Sequence, residues 1–141
     1  MVMTDEMLFR KVDCLALPVT DLAEGIEFYT RLGHEVLWRT TTSAGLRLPE
    51  SGTELVLQTE RPDPETDLTV AEVHAAIERF VAAGGRVVVE PFDIAIGRCA
   101  VIADPWDNRL VILDNSKGYL TIDGEGHVTG VEPSESTDEA M

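Results

Sequence analysis

Basic residues are scarce in this chain of 141: eleven lysines and arginines stand against 26 aspartates and glutamates, a formal net charge of -15. Such a charge repels polyanions and anionic lipid, so the sequence predicts no nucleic-acid partner and no membrane partner. It would steer a cationic small molecule inward. Cysteine is nearly missing. Cys14 and Cys99 lie far apart, form no CxxC or Cys/His cluster, and read as reduced structural thiols. No apolar run approaches the ~20 residues of a membrane span. The opening MVMTDEMLFRKVD has neither the basic n-region nor the apolar h-region of an export signal. Together these point to a cytoplasmic protein. GxGxxG and P-loop phosphate cradles are also missing, since AAGGRV at 82–87 reads as a helix C-terminus. The three histidines, His34, His74 and His127, share no face and offer no Ser/His/Asp or Cys/His arrangement, so they read as solvated surface residues.

What the chain does have is a repeat. Shifted by 51 positions, LPVTDLAEGIEFYTRLGHEVL (residues 17–37) lies over LTVAEVHAAIERFVAAGGRVV (residues 68–88). Leu17 meets Leu68, Val19 meets Val70, Ile26 meets Ile77, Glu27 meets Glu78, Gly33 meets Gly84 and Val36 meets Val87. Six identities stand where average usage gives roughly one. Each copy is too small to bury its own core, so the repeat predicts a paired architecture with a shared groove for function.

Within the first copy, residues 11–19 read as a strand that loses pairing near Pro18. Asp21 is placed to N-cap a helix over 22–32, with Glu24 three residues on and Gly33 as the stop. Strands follow at 35–40, 44–48 and 53–59. Across the connector ERPDPETD (60–67), the second copy reads as a strand at 65–70, a helix at 73–83, and strands at 86–90, 98–103 and 109–114. Residues 118–131 predict a small hairpin. The fold class is therefore α+β, two paired βαβββ modules over about 8–59 and 65–115 forming a curved mixed sheet with an open cup. A single domain spans 1–120, followed by an extension at 121–141 whose acidic end from about Val131 lacks apolar periodicity and reads as disordered.

ALPVTDLAEGIEFYTRLG, followed by AAGGRVVVEPFDIAIGRCAVIADPWDNRLVIL, resembles the vicinal oxygen chelate superfamily of glyoxalases, bleomycin-resistance proteins and extradiol dioxygenases. The resemblance covers about Lys11 to Asp114, through V-x-D-L with F-Y and L-G in the first half and D-P-x-x-N in the second. It implies a homodimer, and for metal-using members a His, Glu, His, Glu or Gln ligand set. Carried over by motif, those four positions are Cys14, Val56, Glu65 and Val111. Valine has no lone pair, and Cys14 with Glu65 alone makes no tight site, so no metal and no other cofactor is expected. A register slip would bring in Glu54 or Gln58 for Val56, but nothing comparable lies near Val111. Cys14 itself reads as a small buried hydrophobe.

The remaining candidates are apolar: Trp38, Phe92, Ile94, Ile96 and Trp106 as pocket walls, with Arg39, Arg98 and Gln58 as polar fixing points. Core packing for Phe92 and a capped turn for Trp106 are the alternatives. The expected ligand-binding set is Cys14, Trp38, Val56, Gln58, Glu65, Phe92, Ile96 and Val111. The expected function is metal-independent binding or sequestration of a small organic molecule, in the manner of antibiotic-resistance proteins of this group. The other possibility is a lyase, isomerase or dioxygenase that works through displaced ligands or an acid/base residue such as Glu65.

Overall fold

The computed structural model describes residues 6–133. The first copy of the repeat forms β1 (Lys11–Pro18), α1 (Leu22–Arg31), β2 (Val36–Arg39), β3 (Ser43–Arg47) and β4 (Glu54–Gln58). The second forms β5 (Glu65–Thr69), α2 (Val73–Ala82), β6 (Arg86–Ile94), β7 (Gly97–Ala103) and β8 (Arg109–Leu113), and β9 (Tyr119–Ile122) pairs with β10 (Val128–Glu132). This is the expected α+β class with two βαβββ modules. Eight strands form a mixed sheet in the order β2-β3-β4-β1-β5-β8-β7-β6, so each module repeats one internal order. Among the described residues no helix is long and apolar enough to cross a membrane.

Two compact units divide the chain. The α1 unit takes in Val12–Asp67 and Leu120–Gly130; the α2 unit takes in Leu68–Tyr119 with residues up to Lys11 and from Val131. In the α1 unit β1 and β4 run parallel while β2, β3 and β4 run antiparallel. Leu22 of α1 packs on Ala44, Leu46 and Leu57, three side chains with no exposure. In the α2 unit Val73 and Ala76 of α2 pack on Ala100, Ile102 and Ile112. The residues that each helix buries, Leu22 and Gly25 against Val73 and Ala76, are matched across the repeat.

Helix starts and stops follow from local chemistry. Asp21 accepts from the Glu24 N–H at 2.9 Å, and Glu72 accepts from the N–H groups of His74 and Ala75 at 3.0 and 2.8 Å. A cap of this kind satisfies donors that the helix itself cannot and is worth about 1 kcal/mol. Both helices are followed by a glycine in left-handed backbone, Gly33 at φ 100 and Gly84 at φ 116, where any side chain would be strained.

Two boundaries differ from the sequence expectation by more than one residue. β6 does not stop at Glu90 but runs to Ile94, with register shifts between Val87 and Val89 and between Val89 and Phe92 that accommodate Pro91. The tail expected from Val131 starts inside a strand, because β10 includes Val131 and Glu132; residues 134–141 lie outside the described residues.

Asp114 is the main polar residue of the α2 unit's core. It has no exposure, yet its carboxylate accepts from the N–H groups of Val73 at 2.9 Å, Arg98 at 3.0 Å and Ser116 at 3.1 Å, and from the Ser116 hydroxyl at 2.8 Å. Burial pushes its pKa up, but these four donors outweigh burial and hold it below the ordinary carboxylate value. Asp114→Ala, which strands those donors, is expected to lower stability by about 3 kcal/mol in urea unfolding. Because the folded value is depressed, the stabilisation is complete above the ordinary carboxylate value near 3.9 and is lost as pH falls through the folded value. The gap in stability between pH 7 and pH 3 should therefore shrink in Asp114→Asn; an unchanged gap would show that the carboxylate's charge plays no part.

Candidate functional site

Strand alternation assigns every second residue of the α1 unit's sheet to the face opposite α1. Since Ala44, Leu46 and Leu57 point to the helix, the open face carries Cys14 and Ala16 of β1, Glu54, Val56 and Gln58 of β4, Gly45 and Arg47 of β3, and Trp38 of β2. The register aligns them in rows across the strands. Trp38, Gly45, Val56 and Ala16 form one row, and Arg47, Glu54 and Cys14 form the next.

Trp38 is fixed in this surface. Its indole Nε1 donates to Glu54 Oε1 at 2.8 Å, and its ring lies where a Cβ on residue 45 would have to be. Gly45 is therefore required by close approach of the indole, and it lies opposite Val56 in the same row. The ring keeps partial exposure. A rigid aromatic with one covered face loses little entropy when a ligand lands on the other.

At the far end of the neighbouring row, Cys14 is 5% exposed and its thiol donates to Asp67 Oδ2 at 3.5 Å. Asp67 lies two residues after Glu65, on the same face of β5 by alternation. Glu65 is paired with Arg61, whose Nε and a terminal nitrogen reach its two oxygens at 3.1 and 3.5 Å. Burial pushes the Cys14 thiol far up, with Asp67 and Asp13 adding to the effect. Asp67 is pushed up to about 8, first by burial and then by its hydrogen bond and charge repulsion with Glu65. Gln58, 2% exposed, is fully engaged: its Nε2 donates to Arg61 O, and its Oε1 accepts from the N–H groups of Glu60 and Arg61, all at 2.8 Å. Its amide ties down the connector.

In the α2 unit the middle of the face opposite α2 is apolar, and Arg86 and Arg109 lie on it either side of Ala103. Val111 aligns with Val101 and Val89, and Phe92 lies opposite Cys99. Phe92 is 43% exposed, and half-buried Ile96 accepts the Lys117 N–H on its carbonyl at 2.8 Å. Arg98 is occupied at the surface, its Nε donating to Asp93 at 3.0 Å and a terminal nitrogen meeting His74 Nε2 at 2.9 Å. Trp106 is 80% exposed on a turn whose backbone is held by Asp104, which accepts from the Trp106 and Asn108 N–H groups at 2.9 Å. Arg39 lines a hollow of about 710 Å³ in the α1 unit with Asp21, Thr40 and His127. His34 meets Arg47 O at 3.0 Å, so the three histidines have three separate surroundings.

These residues do not fit a metal ion. Val56 and Val111 present hydrocarbon, the Cys14 proton is held on the thiol, and among the described residues no group of three or more His, Cys, Asp or Glu side chains is arranged to hold one. Asp67, absent from the expected set, is the residue that sequence reasoning missed. Its spacing from Glu65 on one strand was the available signal.

A family model described as the Glyoxalase/Bleomycin resistance protein/Dioxygenase superfamily matches residues 11–112. No curated protein matches the sequence. Among solved structures the chain is similar to methylmalonyl-CoA epimerase from Mycobacterium tuberculosis, at 21% identity and a TM-score of 0.64, covering 81% of this chain and 92% of that one. It is also similar to homoprotocatechuate 2,3-dioxygenase from Brevibacterium fuscum, at 21% identity and a TM-score of 0.56 over 94% of this chain and 41% of that one. The Mn(II)-bound glyoxalase from Novosphingobium aromaticivorans matches at 12% identity and a TM-score of 0.51, over 89% and 42%. At these identities the likeness establishes fold alone.

The burial of both cysteines and the raised pKa of the Cys14 thiol predict inert thiols. In native protein at pH 8, an aromatic disulfide reagent should label neither Cys14 nor Cys99 on the timescale at which free cysteine reacts, and both should react in guanidinium. Fast native labelling of Cys14, lost in Cys14→Ser, would contradict the packing described.

Proposed function

Since the chain belongs to the Glyoxalase/Bleomycin resistance protein/Dioxygenase superfamily, yet carries hydrocarbon at two of the four positions that supply ligands in metal-using members, we propose that it binds a small organic molecule without a metal ion and holds it without transforming it. The observation that carries this reading is the Trp38 indole, laid on Gly45, pinned by Glu54 and flanked by Val56. An apolar floor with one fixed aromatic and a few polar groups at its margin is the usual make-up of a small-molecule site. On the α1 unit's open face Trp38 and Val56 supply the apolar contact and Cys14 and Glu65 the polar margin, with Gln58 supporting the connector. Val111, Phe92 and Ile96 are the corresponding candidates within the α2 unit.

A second reading, an enzyme of the superfamily acting as lyase, isomerase or dioxygenase, is favoured by one observation. A carboxyl such as Asp67, which retains its proton near neutral pH, is suited to general acid–base work.

Protein purified without chelator should carry far less than one equivalent of zinc, iron, manganese or nickel by elemental analysis; a value near one equivalent overturns the metal-free reading. A ligand found by screening aromatic and cationic compounds should change tryptophan emission and stabilise the fold by about 2.7 kcal/mol at a hundredfold excess over Kd. Trp38→Ala should lose most of that stabilisation. Equal stabilisation of wild type and variant would move the site to Phe92 and Ile96. Turnover of a hit by wild-type protein, lost in Asp67→Asn, would favour the second reading.

A further inference from the structure

The hollow of about 710 Å³ in the α1 unit is walled by three elements. Asp21, Leu22 and Ala23 stand where α1 starts, Arg39, Thr40 and Thr41 where β2 ends, and His127 and Val128 on the hairpin. All belong to the α1 unit. Arg39 is paired with Ala44, which packs beneath α1, and directly opposed residues share a face, so Arg39 lies on the helix side of the sheet and Trp38 on the other. Backbone ties the hairpin to this place. The Arg39 N–H donates to Gly126 O at 2.8 Å, and Arg39 bridges to His127 in parallel. The hairpin wall also lies outside residues 11–112, the stretch matched to the superfamily.

With 26 acidic residues in the chain, an arginine finds a carboxylate easily. Arg79 donates to Glu6 O at 2.9 Å, and every other arginine but one has a carboxylate within 3.9 Å. The exception is Arg39, half-buried, whose guanidinium has no partner among the described residues. The acceptors around it are spent on backbone. Asp21 takes the Glu24 N–H at 2.9 Å, Thr40 Oγ1 takes the N–H groups of Thr42 and Ser43 at 3.2 and 3.0 Å, and Asp123 of the hairpin turn takes those of Glu125 and His127 at 2.8 and 3.0 Å. Donors therefore remain open in the hollow: the Arg39 guanidinium and the Thr41 hydroxyl. A guanidinium partly withdrawn from water without an acceptor is costly, and its planar fork fits a carboxylate with two parallel hydrogen bonds. We propose that the hollow binds a small organic carboxylate, held by the Arg39 fork and the Thr41 hydroxyl, with its apolar part against Leu22, Ala23 and Val128. One unpaired cation beside Asp21 matches a monoanion, whereas a dianion such as phosphate leaves a charge unmatched. The net charge of -15 opposes approach from afar. That repulsion is screened beyond about 8 Å at physiological salt, while the guanidinium acts at contact.

The hollow and the Trp38 surface lie on opposite faces of one sheet, so this site and the one proposed above stand or fall separately. Benzoate, titrated into nitrogen-15-labelled protein at pH 7 in about 0.15 M salt, should shift the Arg39 Nε–H and the backbone N–H groups of Thr41 and His127 saturably while the Trp38 Nε1–H stays in place. Benzamide, which has the same shape and no charge, should not, and inorganic phosphate should bind more weakly than benzoate. Arg39→Gln should weaken benzoate binding about tenfold or more, and Arg39→Lys, which keeps the charge and loses the fork, by less. Gly126 has left-handed backbone, φ 88, so Gly126→Val strains the turn that carries His127 and should weaken binding too. No saturable shift at Arg39, or equal benzoate binding by wild type and Arg39→Gln, overturns the site. An equal response to benzamide, or tighter binding of phosphate, overturns the carboxylate as its ligand. Undiminished binding by Gly126→Val overturns the part given to the hairpin.

Discussion

Side-chain alternation across a four-stranded sheet covered by one helix is the constraint on which the rest of this structure depends. A helix can cover only one face. In the α1 unit that face takes Ala44, Leu46 and Leu57 under Leu22, and in the α2 unit it takes Ala100, Ile102 and Ile112 under Val73 and Ala76. Everything on the other face is then free of the requirement to fill a core beneath a helix. That freedom is visible in the contrast between the units: a tryptophan on a glycine, a thiol and carboxyls in one, and a run of valines in the other.

The two copies of the repeat have diverged in a further respect. Asp114 stands three residues after Val111 and binds four donors in its unit; the matching position three residues after Val56 is Thr59, which reaches only Thr42 O, through its N–H at 3.1 Å and its hydroxyl at 3.2 Å. The buried carboxylate of the α2 unit serves to join the start of α2 to the start of β7 and the turn after β8. The half-buried carboxyls of the α1 unit serve no such joint. Similar residue types thus hold structure together in one copy and make no comparable joint in the other.

Much of this was legible in the sequence because its determinants are local. Asp21, Gly33 and Gly84 announce helix ends through spacing alone, and the repeat gives the module order. The length of β6 was not legible, since Pro91 signals a strand end and only the register shifts reveal that pairing resumes. The site was legible by half. Glu65, Cys14 and Trp38 could be named, but the partners that define their state lie far off in sequence: Asp67 is 53 residues from Cys14, and Glu54 is 16 from Trp38. Gln58 illustrates the converse, a polar residue whose face was readable but whose amide is spent on backbone only two and three residues away.

The interruptions in β6 also bear on how the molecule behaves when crowded. β6 is the outermost strand on its side of the sheet, and Val89 and Phe92 on it are each 43% exposed. A flat strand with that composition would invite another chain to add a ninth strand. Pro91 has no N–H to offer, and the two register shifts bend the edge out of a continuous hydrogen-bonding line. The strand is thereby a poor template for edge-to-edge growth, so an apolar edge can stay exposed without seeding fibrils.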